Sequence, residues 1–210
     1  MCSSDLLIAD GAYVLAVHPG VQAANVKELI VLAKQKPGVL NFCSAGNGTM
    51  LHLNGELFKS LAGVNIVHVP YKGAAAAMTD LVSGQVQLAF NPPSVTLPHV
   101  KSARLRGLAV TSAKRSALAP DLPTIAEAGV PGYEATGWYA ALAPARTPPA
   151  AIARINRELN EAIATKEVRE RFFAAGVEAI GSTPQQFGEF IRAEYAKWGK
   201  VVRASGVKPE

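Results

Sequence analysis

Cysteine is scarce: Cys2 and Cys43 allow one disulfide at most, and no Cys-x-x-Cys or comparable spacing is present to hold a metal. The four histidines, His18, His52, His68 and His99, fall in no H-x-x-x-H pattern, so no metal is expected. Only 18% of residues are charged while 49% are hydrophobic, which excludes an unfolded, self-repelling chain. The net charge of +5 is dispersed, its tightest clusters being Lys114-Arg115 and Arg169 with Arg171. No basic stripe with interleaved aromatics is present, so nucleic acid is not an expected partner. Long apolar runs are also missing: residues 37–55 and 81–100 carry no Asp, Glu, Lys or Arg, but Gly, Pro, Asn or Gln interrupt both. Nucleotide signatures fail too. Gly48 is followed by Thr49-Met50 where a phosphate-binding loop needs Lys, and Leu51 stands where a dinucleotide fingerprint needs a third glycine. No cofactor is expected.

What is present fits one large domain or two small ones. Short apolar runs at residues 12–18, 39–43, 66–69, 86–90, 105–111 and 138–143 read as strands. Between them, helical spacing is carried by Val26, Leu29, Ile30 and Ala33, then by Met50, Leu53, Leu57 and Leu61, then by residues 74–83. Thr124-Ile125-Ala126-Glu127 has the pattern of a capping box and predicts a short helix stopped by Gly129. Ile152, Ile155, Leu159 and Ile163 mark a further helix. Thr183-Pro184-Gln185-Gln186 opens a last one, with the stripe Phe187, Ile191, Tyr195, Trp198 and Val202. Strands alternating with helices predict an α/β fold with mainly parallel sheets. The first six residues have neither the basic segment nor the apolar stretch of a signal peptide. They match a translated sequencing-library adapter, and residues 1–6 are expected to be a non-native start.

The most informative local feature is the strand, glycine turn and helix over residues 39–63. Gly46 and Gly48 lie between a strand and a first helical turn, where unpaired N–H groups and the helix dipole favour an anion. Ser44 and Thr49 add hydroxyls. The same glycines could equally do no more than shape the loop. An enzymatic reading would use Cys43, with His52, or Ser44 as a nucleophile. However, nothing in the sequence orients a Cys43–His52 pair, and Ser44 lacks a G-x-S-x-G context. His18 and His68 read as structural histidines. Tyr71, Tyr133, Trp138 and Tyr139 are candidate pocket walls or core.

The segments Leu40-Asn41-Phe42-Cys43-Ser44-Ala45-Gly46-Asn47-Gly48, Val69-Pro70-Tyr71-Lys72-Gly73, Leu108-Ala109-Val110-Thr111-Ser112 and Leu122-Pro123-Thr124-Ile125-Ala126-Glu127-Ala128-Gly129 resemble a known family. They occur in the order found in the extracytoplasmic solute receptors of tripartite tricarboxylate transporters, the Bug or TctC-like proteins. Departures are Cys43 at a position that usually has a small residue, and Ala45 and Met50 in place of frequent serines. The resemblance implies a type II periplasmic-binding-protein-like fold of two lobes, the first incomplete. Residues 7–20 would be a remnant of lobe one and its linker strand, 21–135 lobe two, and 136–210 the C-terminal part of lobe one. It implies a periplasmic, non-catalytic receptor, expected as a monomer, that captures a small carboxylate and hands it to membrane permease subunits. The ligand-binding residues implied are Ser44, Ala45, Gly46, Asn47, Gly48, Thr49, Tyr71 and Asn91. The family's first-lobe glycine loop has no counterpart here, so weak ligand binding is expected of the chain as it stands. A small α/β enzyme acting on an anionic substrate and the effector-sensing domain of a regulator are the alternatives.

Overall fold

The computed structural model describes residues 3–207, and of residues 3–5 the backbone alone. Met1 and Cys2, within the expected non-native start, lie outside the described residues. Leu6, its last residue, is fully buried. In chain order the elements begin with β1 (Ser3–Ala12), β2 (Val14–Val17), α1 (Val26–Gln35), β3 (Asn41–Ser44), α2 (Met50–Ala62), β4 (Val67–Pro70) and α3 (Ala74–Ser83). They continue with β5 (Leu88–Asn91), α4 (Pro93–Lys101), β6 (Arg106–Val110), β7 (Thr136–Ala143), α5 (Pro149–Ala164), α6 (Lys166–Ala175), β8 (Glu178–Ala179) and α7 (Pro184–Ser205). Two compact units result, one from residues up to 11 with 137–199, the other from 12–136 with the chain from 200 onward.

The larger unit is built on a five-stranded sheet of order β4-β3-β5-β2-β6. The α/β expectation holds, but the strands are not mainly parallel. β3 runs parallel to β4 and β5, whereas β2 is antiparallel to both β5 and β6. The apolar run at 12–18 is also split, its beginning belonging to β1 and its centre to β2, a strand buried at all four residues. Side chains of β3 alternate across the sheet. Cys43 joins Ala77, Leu81 and Ala89 under α3, while Phe42 meets Phe90, His52 and His68 on the α2 side.

On α2 the buried residues include Leu53, Leu57 and Phe58, while Leu61, expected in the stripe, is 44% exposed. Helix and sheet approach closely because Gly55 has no side chain: a Cβ there would stand about 2.5 Å from Phe42 Cζ. The expected helix at Thr124 is a turn instead. Its capping box does form, with Glu127 N–H donating to Thr124 Oγ1 at 3.0 Å and Thr124 N–H donating to Glu127 Oε2 at 3.0 Å. The backbone around it is already committed to the sheet: Val110 N–H donates to Pro123 O and Ile125 N–H to Val110 O. Only one turn remains before Gly129.

The smaller unit has a three-stranded sheet, β7-β1-β8, with β1 antiparallel to β8. The Thr183 capping box forms at the start of α7, Gln186 N–H donating to Thr183 Oγ1 and Thr183 N–H to Gln186 Oε1. Phe187 is fully buried, and with Phe190 it sets its ring edge-on to Trp138 of β7 at 5.9 and 5.7 Å. Tyr195, expected in the stripe, is 84% exposed. Its place is taken by Glu194, 7% exposed and accepting the Trp198 indole N–H at 2.8 Å. A helix drifts by about a residue over two turns relative to a strict fourfold spacing, and the 187–191–195 pattern ignored that drift.

The Phe42 contact generates a stability prediction. Gly55→Ala keeps α2 helical yet drives a methyl into the Phe42 ring, and the variant should lose about 1–3 kcal/mol, the usual cost of overpacking. Urea unfolding followed by circular dichroism measures it. A neutral or stabilised variant would show that α2 can move off the sheet.

Candidate functional site

The carboxyl ends of the three parallel strands lie at one edge of the larger unit's sheet. Register brings Ser44 beside Pro70, and Asn91 closes β5 opposite Val14. Three helices start from that edge, and none has a side-chain hydrogen bond at its N-cap: Thr49 before α2, Gly73 before α3 and Pro92 before α4. By contrast α1, which follows the opposite end of β2, is closed by its own side chains, Glu28 N–H donating to Asn25 Oδ1 and Ala24 N–H to Glu28 Oε2. Uncapped first turns leave N–H donors and the positive ends of the helix dipoles directed past the sheet edge.

The glycine loop between β3 and α2 is braced from beneath. Gly46 and Gly48 take φ of +139° and +70°, backbone that only glycine adopts without strain. Ser44 is fully buried. Its Oγ shares a 2.6 Å hydrogen bond with His68 Nε2 and accepts the Gly46 N–H at 3.2 Å. Thr49 Oγ1 donates to Gly46 O at 2.8 Å. Gly48 N–H donates to His52 Nδ1 at 3.1 Å, which leaves the ring proton on Nε2, 3.6 Å from Glu56 Oε1. Lys59 pairs with the same Glu56 oxygen at 2.8 Å. The His52 and His68 rings stack at 3.6 Å and 8°.

Two N–H groups of the loop, those of Gly46 and Gly48, are therefore spent inside it. The donors that remain at this edge include those of the first turns of α2 and α3. Tyr71 N–H is also used, donating to Ser44 O at 3.0 Å, and the Tyr71 hydroxyl donates to Asp80 Oδ2 at 2.7 Å. Partial burial and that carboxylate push the phenol up to about 12. Asn91 is 2% exposed and makes no side-chain hydrogen bond among the described residues. Thus Ser44–Thr49, Tyr71 and Asn91 all come to one sheet edge. The support that sequence reasoning missed is the His52–His68 stack, which joins a helix to a strand with no spacing signal.

Nucleophilic chemistry finds little here. Cys43 Sγ faces Ala77 O and Leu88 O at 3.6 and 3.8 Å, on the opposite side of the sheet from His52, and burial pushes its thiol up to about 12. Ser44 has a histidine partner, but Glu56 contacts His52 rather than His68, so among the described residues no carboxylate hydrogen bond orients the pair.

Solved structures identify the fold. The chain superposes over its whole length on a Rhodopseudomonas palustris protein solved with adipate, Rpa4515, with a TM-score of 0.84, 35% identity and 70% of that chain covered. The periplasmic binding protein BugD aligns with a TM-score of 0.79 at 28% identity. The fold is thus that of periplasmic binding proteins. The profile described as tripartite tricarboxylate transporter family receptor matches residues 6–207, and the chain belongs to this family. Protein BugT of Bordetella pertussis is 37% identical over 202 residues, and a Pseudomonas protein from a tcbD–tcbE intergenic region 36% over 190. The chain covers 96% and 90% of itself in these matches but spans only 62% and 56% of the two relatives.

The histidine brace makes stability depend on pH. Burial, and then the neighbouring His52, pulls His68 down to about 4, so it stays neutral in the folded protein. The unfolded chain takes up that proton near pH 6.5. The contribution is complete above 6.5 and is lost as pH falls toward about 4. Burial raises Glu56, but hydrogen bonds from His52 and Lys59 outweigh it and leave the carboxyl lowered, so its own contribution is lost only at lower pH. The urea midpoint should therefore fall between pH 7 and pH 5, and His68→Gln should reduce that fall. Identical pH profiles for parent and variant would remove His68 from the account.

Proposed function

We propose that this chain is the ligand-binding part of a periplasmic solute receptor that captures a small organic carboxylate and delivers it to a tripartite-type membrane permease. The observation that carries the reading is the convergence of three uncapped helix N-termini, α2, α3 and α4, on one sheet edge. A carboxylate there accepts main-chain N–H bonds from the first turns of α2 and α3, with residues 44–49 shaping the floor and Tyr71 and Asn91 at the sides. Adipate in the structure of a relative 35% identical to this chain supports the same ligand class. In this reading the receptor acts as a monomer, performs no catalysis, and uses the larger unit as its second lobe.

Magnitudes point to modest affinity from this edge alone. Two or three charge-assisted hydrogen bonds contribute roughly 1.5–3 kcal/mol each, against an association cost of about 4–15 kcal/mol. Binding near or weaker than millimolar, which needs about −4 kcal/mol, is the expected scale. Proline scanning tests the donors cleanly, because the first helical position tolerates proline and loses only its N–H. Thr49, with φ −67° and ψ 158°, is already in the conformation that a following proline requires. Met50→Pro should therefore keep α2 and weaken binding of succinate at least tenfold in an NMR titration, with the parent's shifts centred on residues 44–51. Equal affinity in parent and variant would take the anion site away from α2.

A further inference from the structure

Helices α3 and α4 share one apolar core, Ala77 and Leu81 of α3 lying within it and Leu97 and Val100 of α4 packing against it. Between their outer sides runs a groove of about 880 Å³, flanked by Met78 and Val82 of α3 and by Val95 and Pro98 of α4. Val95 is 44% exposed, so this apolar surface meets water. The two ends of the groove differ. Asn91 stands at the carboxyl edge of the sheet, where the carboxylate reading places its ligand. The other end lies at the opposite edge, where β6 begins with Arg106 paired to Val17. There Arg104 lines the groove, the one Arg, Lys, Asp or Glu among the described residues that line it. Arg104 has no carboxylate partner among the described residues; its Nε donates to Ser102 Oγ at 3.4 Å. Asp80 of α3 is taken by the Tyr71 hydroxyl. The helix ends here are closed by their own turns, Gly84 N–H donating to Leu81 O, Gln85 N–H to Asp80 O and Arg104 N–H to His99 O. The guanidinium is therefore the charge that a guest meets at this end.

We propose that this groove is a second binding site, for a single-chain amphiphile with an anionic head. The head pairs with Arg104, and the hydrocarbon tail lies between Met78–Val82 and Val95–Pro98. Apolar walls with one charge at the end suit a molecule that is apolar along its length and anionic at one end. From Ser83 back to Ala75 the helix axis rises about 12 Å, room for a tail of about eight to ten carbons that stops short of the donor edge. The site is independent of the carboxylate receptor reading, because it uses the opposite end of α3 and none of residues 44–49. Its chemistry is shared by a free fatty acid and by an anionic lysophospholipid.

NMR titration of the 210-residue chain with straight-chain monocarboxylates of four, six, eight and ten carbons provides the test. Affinity should rise about two- to fourfold for each added methylene, as burial of hydrocarbon requires, with shifts centred on residues 75–83 and 95–104. Thr79→Trp, at an exposed position midway along α3, should fill the groove and flatten that rise. Arg104→Glu should weaken decanoate at least fivefold and make decylammonium the better ligand, a reversal that mere loss of structure would not produce. Circular dichroism checks that both variants keep the parent's helix content. Excess succinate should not displace decanoate. Affinity independent of chain length, a rise that survives Thr79→Trp, equal decanoate binding by Arg104→Glu, or displacement by succinate overturns the site. Decanoyl-lysophosphatidylglycerol, titrated below its micellar concentration, separates the two sources: binding as tight as decanoate's assigns the site to the shared head and tail, and decanoate alone assigns it to free fatty acids. Failure of succinate to bind would remove the carboxylate reading and leave this site standing.

Discussion

The parallel pairing of β3 with β4 and β5 is the constraint on which the rest of the larger unit depends. Parallel strands force each connection to cross back over the sheet, so every following helix starts at the same edge. Three helix dipoles then point the same way, and their repulsion is relieved only if negative charge or water meets them. Side-chain caps would have satisfied the first turns locally, as Asn25 does for α1 at the other edge. Their absence at Thr49, Gly73 and Pro92 leaves donors that a guest anion can take. Antiparallel β2 and β6 complete the sheet without adding a further helix start to that edge.

A donor edge is selective only if it is rigid, and here the rigidity comes from below the loop. Ser44, buried at the end of β3, hydrogen-bonds both the Gly46 N–H and His68. His52 receives Gly48 and turns its other nitrogen toward Glu56. His52 thus holds Gly48 directly, and His68 holds Gly46 through Ser44. The same bonds occupy the Gly46 and Gly48 amides inside the loop.

Much of this was legible in the sequence where the signal was local. The strand ending in Ser44, the two glycines and the apolar spacing of Leu53 and Leu57 suffice to place a strand, a turn and a helix. The capping boxes at Thr124 and Thr183 were equally legible as hydrogen bonds, yet only the second starts a helix. At Thr124 pairing with Val110 overrides local preference, a long-range fact that no window contains. Strand direction was misread for the same reason: alternation of strands and helices suggests parallel pairing, but β2 enters the sheet from outside that alternation. The His52–His68 stack was invisible because it depends on Phe42 and His68 falling in register.

Opposite faces of one sheet therefore carry different tasks. On the α2 face, large rings, Phe42, Phe58 and Phe90, fill the space to the helix so completely that Gly55 is needed for them to fit. On the α3 face, small residues, Cys43, Ala77 and Ala89, share the core with Leu81, Val86 and Leu105. Close packing is the ordinary state of protein interiors, and both faces of this sheet reach it with side chains of different size. Ring packing on the α2 face supports the glycine loop from below, and the core under α3 holds the other side of the same strands. An anion at the shared edge would thus meet donors whose positions are set by packing on both faces of the sheet rather than by the loop alone.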